Sequence, residues 1–333
     1  MNSRLFRVVV VLLLLGSLSL GIRNYWQIEK LQPNELMKTF ETRVTKNSCD
    51  FLHKILAKEP LRKYRYVLNQ PEYAGKAANP YPNKLWFYWN DGIEKAPKIV
   101  KVCLESIKKH LHGMGIILLD QNSVNKYVDI PAHIKEKHKQ GVMGEAHFAD
   151  VVRTFLLRDY GGLWLDATTF LTGEIPQDIF DAEFFAPMLC DINPKRNPKF
   201  KFRNFVLPGV FCNYMLYAKR PHNYVFECMA RFLTEFWQDR DWADYFLYYQ
   251  FTAVAVEEDP KFYKIVLDVI RNHYYHEKDF LSLGDAVHSK FNRSEWEEMK
   301  KFPIHKIYGA KFWNDKFIEK GTFADKLLRG ELN

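Results

Sequence analysis

One stretch in the middle of the sequence constrains the fold more than any other, because it joins a buried helix to a buried strand through two glycines. Glu145–Asp159 (EAHFADVVRTFLLRD) is broadly apolar and predicts a helix that is mostly buried. Gly161 and Gly162 predict its end, since glycine tolerates the left-handed backbone of a helix C-cap. Leu163–Leu165 then predicts a short strand with Asp166 at its exit. The stretch therefore predicts an α/β fold with a carboxylate at a strand end.

Two charged residues lie in the middle of this apolar helix, away from its ends. Asp150 and Arg153 are three positions apart and therefore share one face. Charges in such a setting are costly unless they are paired or bound to something. They can form an internal ion pair with no further role, or Arg153 can hold a ligand through its fork of donors. The residues alone leave both interpretations open.

The end of the strand carries groups that can bind a cation. The carboxylate of Asp166 can ligate a divalent ion that bridges a diphosphate. The hydroxyl of Thr168 lies on the same side if the strand continues, and it can ligate weakly or hold a water. The sequence thus predicts a candidate cation site at this point.

A second α/β unit precedes this stretch. Lys84–Trp89 (KLWFYW) and Ile116–Leu119 (IILL) predict two buried strands, and Pro97–His110 predicts the helix between them. A strand–helix–strand order of this kind predicts parallel strands. Ligands of such sheets bind beyond the carboxyl ends of the strands, where Asn90–Gly92 and Asp120 lie.

The net charge and the absence of known motifs leave several classes of function without support. The net charge of +8 favours anionic ligands or a membrane surface, but no block of Lys and Arg stands out, and we expect no nucleic-acid partner. No GxSxG, Walker, HExxH or GxGxxG pattern supports a hydrolase, an NTPase, a metalloprotease or a dehydrogenase. The cysteines lack metal-ligand spacing and predict buried free thiols; they are Cys49, Cys103, Cys190, Cys212 and Cys228.

Several stretches together resemble one known family. In chain order they are Lys84–Gly92 (KLWFYWNDG), Ile116–Asp120 (IILLD), Tyr127–Pro131 (YVDIP), Ala146–Arg153 (AHFADVVR), Tyr160–Thr168 (YGGLWLDAT), Asp244–Leu247 (DYFL) and Ile304–Lys306 (IHK). The chain resembles the capsular polysaccharide synthesis protein family, bacterial glycosyltransferases related to the family-32 transferases with a DXD motif. The resemblance implies a GT-A-like fold, with a Rossmann-like nucleotide-sugar-binding domain and additional helices. It also implies hexose transfer with retention.

The resemblance also implies roles for individual residues. The implied donor-binding residues are Trp89, Asp150, Arg153, Asp166, His305 and Lys306. Asp150, Arg153 and Asp166 are also the implied catalytic residues. Asp166 takes the first acidic position of DXD, but Thr168 stands where the second acid would be. Asp166, with Thr168 as a weak or water-mediated ligand, is the expected site for Mn²⁺ or Mg²⁺. In addition, Tyr245–Phe251 predicts mostly core, with Tyr248, Tyr249 or Gln250 able to line an acceptor cleft.

These expectations lead to one main hypothesis of function and two alternatives. The main hypothesis is a membrane-associated, retaining hexosyltransferase that uses a UDP-sugar donor and a glycan or lipid-linked glycan acceptor in surface polysaccharide synthesis. The first alternative is a catalytically silent sugar-binding or scaffold relative, suggested by Thr168. The second is binding of anionic lipid or nucleic acid without catalysis, which rests on charge alone.

Three regions are predicted along the chain. Residues 1–25 form a membrane anchor or signal-like segment, residues 26–80 a helical stem, and residues 81–333 the GT-A-like domain. The uncharged run Val8–Ile22 is flanked by arginines, which can snorkel to the membrane interface. An anchor of this kind would leave the catalytic domain in the cytoplasm of a bacterium, or in the Golgi lumen as a type II membrane protein.

Overall fold

A five-stranded mixed sheet forms the centre of the fold in the computed structural model, which describes residues 59–70, 83–189, 209–308 and 318–332. In spatial order its strands are β2 (Gly115–Leu119), β1 (Lys84–Tyr88), β3 (Gly162–Leu165), β6 (Met215–Ala218) and β5 (Phe184–Phe185). Strand β1 is parallel to both β2 and β3, whereas β6 is antiparallel to β3 and to β5. The prediction of an α/β fold with parallel strands is thus confirmed.

A second sheet has two strands, and the first of them follows directly after β3 in the chain. It pairs β4 (Thr169–Leu171) with β7 (Ile304–Lys306) in antiparallel register, so that Thr169 lies opposite Lys306. This pairing brings a segment from the C-terminal part of the chain to the carboxyl end of β3.

Helices pack around the two sheets. They are α1 (Lys98–His110), α2 (Ala132–Lys139), α3 (Glu145–Tyr160), α4 (Gln177–Asp181), α5 (Tyr224–Asp239), α6 (Leu247–Glu258), α7 (Pro260–Asn272), α8 (Glu277–Ala286), α9 (Arg293–Met299) and α10 (Phe323–Leu328). Helix α1 begins directly after Pro97, as predicted, because proline fixes a φ that suits a helix start. Helix α3 packs against β1, β3 and α5, which accounts for its apolar composition.

The corner between α3 and β3 requires glycine. Gly161 has φ 70° and Gly162 has φ 91°, a region in which residues with a Cβ are strained. A Cβ on Gly161 would also lie 2.9 Å from the carbonyl oxygen of Ala218. The indole of Trp86 donates a 2.8 Å hydrogen bond to the Gly161 carbonyl and fixes the corner to β1.

Two expectations for the strands are corrected by the structure. Ile116–Leu119 does not form a buried strand: in the described part of the chain β2 is an edge strand that pairs on one side only, and Leu118 is 42% exposed. Strand β3 does not continue through Thr168. Instead the chain turns, because the Thr169 amide donates a 2.9 Å hydrogen bond to the Asp166 carbonyl.

Only part of the predicted N-terminal regions is described. The predicted anchor, residues 1–25, lies outside the described residues, as does most of the stem. The described part of the stem contains a 3-10 helix, Glu59–Val67, whose Tyr64 packs its ring against Phe232 and Phe236 of α5. Across the described ranges, every helix is too short or too polar to cross a membrane.

The cysteines that the structure describes are buried. Cys103, Cys212 and Cys228 are at most 1% exposed and are present as thiols. Burial raises the pKa of Cys103 to about 12, so its sulfur stays protonated and unreactive at neutral pH. Cys49 and Cys190 lie outside the described residues.

Candidate functional site

Charged side chains from three different elements meet at the carboxyl end of β3. Asp166 accepts a 2.8 Å hydrogen bond from Lys306 Nζ on its Oδ2, and its Oδ1 lies 3.2 Å from Arg153 Nη1. The Trp164 indole also donates to Oδ1, at 2.9 Å. Both oxygens of Asp166 therefore face a cation.

Arg153 also holds Asp150 and the segment before β6. Its Nη2 lies 3.5 Å from Asp150 Oδ1, and its Nη1 donates to the backbone carbonyl of Asn213. The Asn213 amide donates a 2.7 Å hydrogen bond to the same Asp150 oxygen. Asp150 and Arg153 are each 5% exposed. We refer to Asp150, Arg153, Asp166, Thr168, Asn213 and Lys306 as the Asp166 cluster.

The two carboxylates of the Asp166 cluster differ in protonation. Burial alone would raise the pKa of Asp166, but the charges of Arg153 and Lys306 and the hydrogen bonds from Lys306 and Trp164 hold it below its ordinary value. Burial raises the pKa of Asp150 to about 7; Arg153 and Asn213 oppose this shift and the charge of Asp166 adds to it. Asp166 is thus an anion at neutral pH, while Asp150 is partly protonated.

Thr168 lies beside Asp166 because of the turn that follows β3. Lys306 Nζ donates to Thr168 Oγ1 at 2.9 Å as well as to Asp166. The amide of Ile307 donates a 2.8 Å hydrogen bond to the Thr168 carbonyl, which extends the pairing of β4 and β7. The structure therefore brings Thr168 and Lys306 together with Asp166.

His305 is placed apart from the Asp166 cluster. Successive side chains of a strand point to opposite faces, so His305 and Lys306 of β7 diverge. His305 is 0% exposed, its Nε2 lies 3.1 Å from Thr172 Oγ1, and its ring packs against Trp296. Burial lowers the pKa of His305 to about 4, so the ring is neutral at physiological pH. The structure therefore does not bring His305 together with Asp166.

Trp89 lies at the same edge of the sheet as Asp166. Its amide donates a 3.0 Å hydrogen bond to the Leu119 carbonyl, which aligns the ends of β1 and β2. One residue earlier, the ring of Tyr88 stacks on Trp164 with centroids 6.4 Å apart, and Trp164 in turn contacts Asp166. The carboxyl ends of neighbouring strands therefore form one continuous edge, as predicted.

An exposed aromatic loop lies near the Asp166 cluster. Trp242, Tyr245 and Phe246 are 76%, 66% and 40% exposed, so the expectation that the start of Tyr245–Phe251 is core is wrong. These residues precede α6, which begins at Leu247, and the ring of Phe246 packs against Tyr249 of that helix with centroids 5.7 Å apart. The hydroxyl of Tyr249, against which Phe246 packs, donates a hydrogen bond to Asn213, so the loop lies next to the Asp166 cluster.

The later residues of Tyr245–Phe251 are part of the core, as expected. Tyr248 is fully buried and Gln250 is 3% exposed. Tyr249 donates a 2.8 Å hydrogen bond to Asn213 Oδ1 and so connects α6 to the Asp166 cluster. No feature of the sequence distinguishes Asn213 as a site residue, since it belongs to none of the recognised stretches.

The oxygen atoms of the Asp166 cluster do not fit a divalent cation in this arrangement. Mg²⁺ and Mn²⁺ prefer several oxygen ligands. The expected ligands, Asp166 and Thr168, both bind the ammonium of Lys306 instead. Across the parts of the chain that the structure describes, no group of three or more His, Cys, Asp or Glu side chains could hold a metal ion.

Comparison with known proteins identifies the family. The family described as capsular polysaccharide synthesis protein matches residues 34–327. The O-glycosyltransferase PaGT of Phomopsis amygdali is 30% identical over 135 residues, which are 38% of this chain and 31% of that protein, so the match spans about a third of that relative's length. A solved structure titled PaToxG Glycosyltransferase is 12% identical, with a TM-score of 0.32, and the match covers 84% of this chain and 98% of that one. Because the family match spans most of the chain, this protein belongs to the capsular polysaccharide synthesis protein family.

Proposed function

We propose that this protein is a retaining glycosyltransferase that moves a hexose from a UDP-sugar donor to a glycan or lipid-linked glycan acceptor in surface polysaccharide synthesis. Support comes from the family and from the glycosyltransferase that aligns with part of the chain. The observation that carries the proposal is the pair of cations, Arg153 and Lys306, held on one carboxylate at the edge of the sheet.

The charges of the Asp166 cluster suit a diphosphate leaving group. Arg153 and Lys306 contribute two positive charges, and Asp166 contributes one negative charge. Because the pKa of Asp150 is raised to about 7, its carboxyl offsets the remaining positive charge only in part. A partly buried site with excess positive charge stabilises negative charge as it develops on a departing group. The Asp166 cluster lies at the carboxyl edge of the sheet, and because ligands of α/β folds bind at that edge, its position supports a nucleotide as the ligand.

In the proposed reaction, the bond between the anomeric carbon and the diphosphate oxygen breaks, and the electron pair leaves with the diphosphate. The acceptor hydroxyl oxygen forms a new bond to the anomeric carbon on the same face. Its proton passes to the departing diphosphate oxygen, so that atoms and charge balance. Arg153 and Lys306 hold the leaving group, and Asp166 keeps both of these side chains in position.

In this proposal, the exposed aromatic loop binds the acceptor. Trp242 and Tyr245 are largely exposed to solvent, and sugar rings stack on exposed aromatic rings. The loop is fixed near α3, because His147 Nε2 lies 3.5 Å from the Ala243 carbonyl. His147 precedes Asp150 by one turn, so the loop and the Asp166 cluster border the same region.

Asp166→Asn tests the proposal. The full chain is incubated with a panel of nucleotide sugars, with and without Mn²⁺, and donor hydrolysis and transfer are measured. Asn is nearly isosteric but removes the carboxylate that positions both Arg153 and Lys306, and we expect a loss of the rate on the order of 100-fold. Asp129→Asn, at a solvent-exposed carboxylate, is the matched control. Full activity of a folded Asp166→Asn variant would contradict the assignment of the site.

The same assay distinguishes the proposed transferase from the first alternative, a catalytically silent sugar-binding or scaffold relative. Thr168 in place of a second acid also suits a catalytically silent relative that binds sugars. Such a protein would bind a nucleotide sugar in calorimetry but show neither hydrolysis nor transfer with any donor of the panel.

A further inference from the structure

The ammonium of Lys306 lies between the two groups that were expected to hold a metal ion. Its Nζ is 2.8 Å from Asp166 Oδ2 and 2.9 Å from Thr168 Oγ1. A divalent cation ligated by those two oxygens would have to occupy the same space, close to a positive charge. The ammonium and the ion therefore exclude each other.

Lys306 is held at this place by the fold. Strand β7 pairs with β4 so that Lys306 lies opposite Thr169, and the next amide, of Ile307, binds the Thr168 carbonyl. The side chain is 14% exposed, and its Nζ lies 5.8 Å from the centre of the Tyr214 ring. A charge positioned by the fold needs little reorganisation when a ligand arrives.

The group formed by Asp166, Thr168 and Lys306 has the same formal charge as a site with two acids and a metal ion. A site with two acids and a divalent cation has a formal charge of zero. Asp166, the neutral Thr168 and the ammonium of Lys306 also sum to zero. One acid fewer and a single instead of a double positive charge therefore offset each other. Arg153, on the other oxygen of Asp166, adds a second fixed cation.

We propose that Lys306 takes the place of the divalent cation, so that the nucleoside diphosphate binds to the chain's own ammonium and the protein works without a metal. This inference rests on the proposed function, because it concerns the leaving group of that reaction. It makes Lys306 a catalytic residue that touches the diphosphate, and Thr168 a residue that positions Lys306.

Binding measurements on the full chain test the inference without relying on turnover. UDP binding is measured by calorimetry in EDTA and again with Mn²⁺, and Mn²⁺ binding to the protein alone is followed by electron paramagnetic resonance. We expect UDP to bind equally well in both buffers, to within about 2-fold, and Mn²⁺ at 1 mM to remain free. Transfer should likewise persist in EDTA.

Variants at Lys306 test whether this residue binds the diphosphate of UDP. Lys306→Met should weaken UDP binding at least 10-fold in EDTA while leaving uridine binding within 2-fold, because uridine lacks the diphosphate. Lys306→Arg, which keeps the charge, should recover part of the loss. Lys290→Met, at an exposed lysine paired with Glu319, is the matched control and should bind UDP as the unchanged protein does.

Two results would overturn the inference. One is stoichiometric Mn²⁺ binding that disappears in Asp166→Asn. The other is UDP binding or transfer that EDTA abolishes and Mn²⁺ restores. Failure of the proposed function looks different: no nucleotide sugar is bound or consumed in either buffer, while the paramagnetic resonance measurement still shows whether Asp166 binds a metal.

Discussion

Nη1 of Arg153 lies 3.2 Å from Oδ1 of Asp166, and the two side chains are only 6% and 22% exposed. The guanidinium also packs over the ring of Trp164, 5.0 Å from its centre. The ion pair therefore connects α3 to the end of β3 in surroundings that screen charge weakly. Its removal should affect stability as well as binding.

Arg153→Met should lower the free energy of unfolding by about 3–5 kcal/mol, because it leaves Asp166 and Asp150 without their shared buried cation. Urea unfolding followed by circular dichroism measures the change. Arg293→Met, which removes an exposed arginine paired with Glu297, should cost at most about 1 kcal/mol. Equal losses in the two variants would show that Arg153 carries no special share of the stability.

The pKa of Asp150 predicts a pH-dependent difference in stability. In the folded protein this pKa is raised to about 7, above its ordinary value of 3.8, so the folded state retains a proton that the unfolded state releases. The unchanged protein therefore loses stability as the pH rises from about 4 to 7, by at most roughly 1.4 kcal/mol per pH unit. Asp150→Asn removes this dependence.

Thermal unfolding of both proteins between pH 5 and pH 8 checks this prediction. The melting temperature of Asp150→Asn should rise relative to that of the unchanged protein as the pH increases. Asp129→Asn, at an exposed position, should show no such trend. A constant difference across the range would mean that Asp150 is already ionised at pH 5.

Gly161→Ala should destabilise the corner between α3 and β3 through two effects. The positive φ of 70° with ψ −155° is a backbone conformation that costs an alanine about 1–3 kcal/mol. The new Cβ would also lie 2.9 Å from the Ala218 carbonyl oxygen, and overpacking of this kind costs a further ~1–3 kcal/mol.

Gly141→Ala separates the two effects. Gly141 has a φ of 74°, but nothing lies within 4 Å of the position that a Cβ would take there, so only the backbone strain remains. Chemical unfolding should therefore show a clearly larger loss for Gly161→Ala. Similar losses would indicate that β6 moves aside to accommodate the methyl group.

Trp242→Ala tests the acceptor side of the proposed function. Loss of a stacking surface should weaken acceptor binding by about 0.5–1.5 kcal/mol, which raises the acceptor KM roughly 2- to 10-fold. Donor hydrolysis without acceptor should not change. Tyr66→Ala, which removes an exposed ring of the stem, serves as control. An increase in the donor KM instead would place Trp242 on the donor side.

Local sequence patterns predict the elements that carry the site. Periodicity and glycine positions predict α3 and β3 closely, because both are buried and their ends are set by backbone geometry. The pairing of Asp150 with Arg153 follows from their spacing on one helix. Thr168 reaches the side of Asp166 as expected, but through a turn rather than a continued strand.

Contacts between residues that are far apart in the chain could not be predicted from the sequence. Asn213 enters the cluster because β6 pairs antiparallel with β3, and no pattern near Asn213 predicts that pairing. The sequence does not distinguish His305 from its neighbour Lys306 as a site residue. In the structure, the side chains of β7 point alternately to opposite faces, so the two residues are separated. The register of one strand pair, which depends on the whole fold, decides which of the two meets Asp166.

The contact between Lys306 and Asp166 joins residues 140 positions apart, and this separation sets an order of events during synthesis. While the ribosome is still adding α7, α8 and α9, the nascent chain already has β3 and Asp166 but not β7. Among the described residues, the side chain of Asp166 then has only Arg153 and Trp164 as partners. The second cation arrives after nearly the whole chain has emerged, so the Asp166 cluster is completed at the end of translation and not gradually along it.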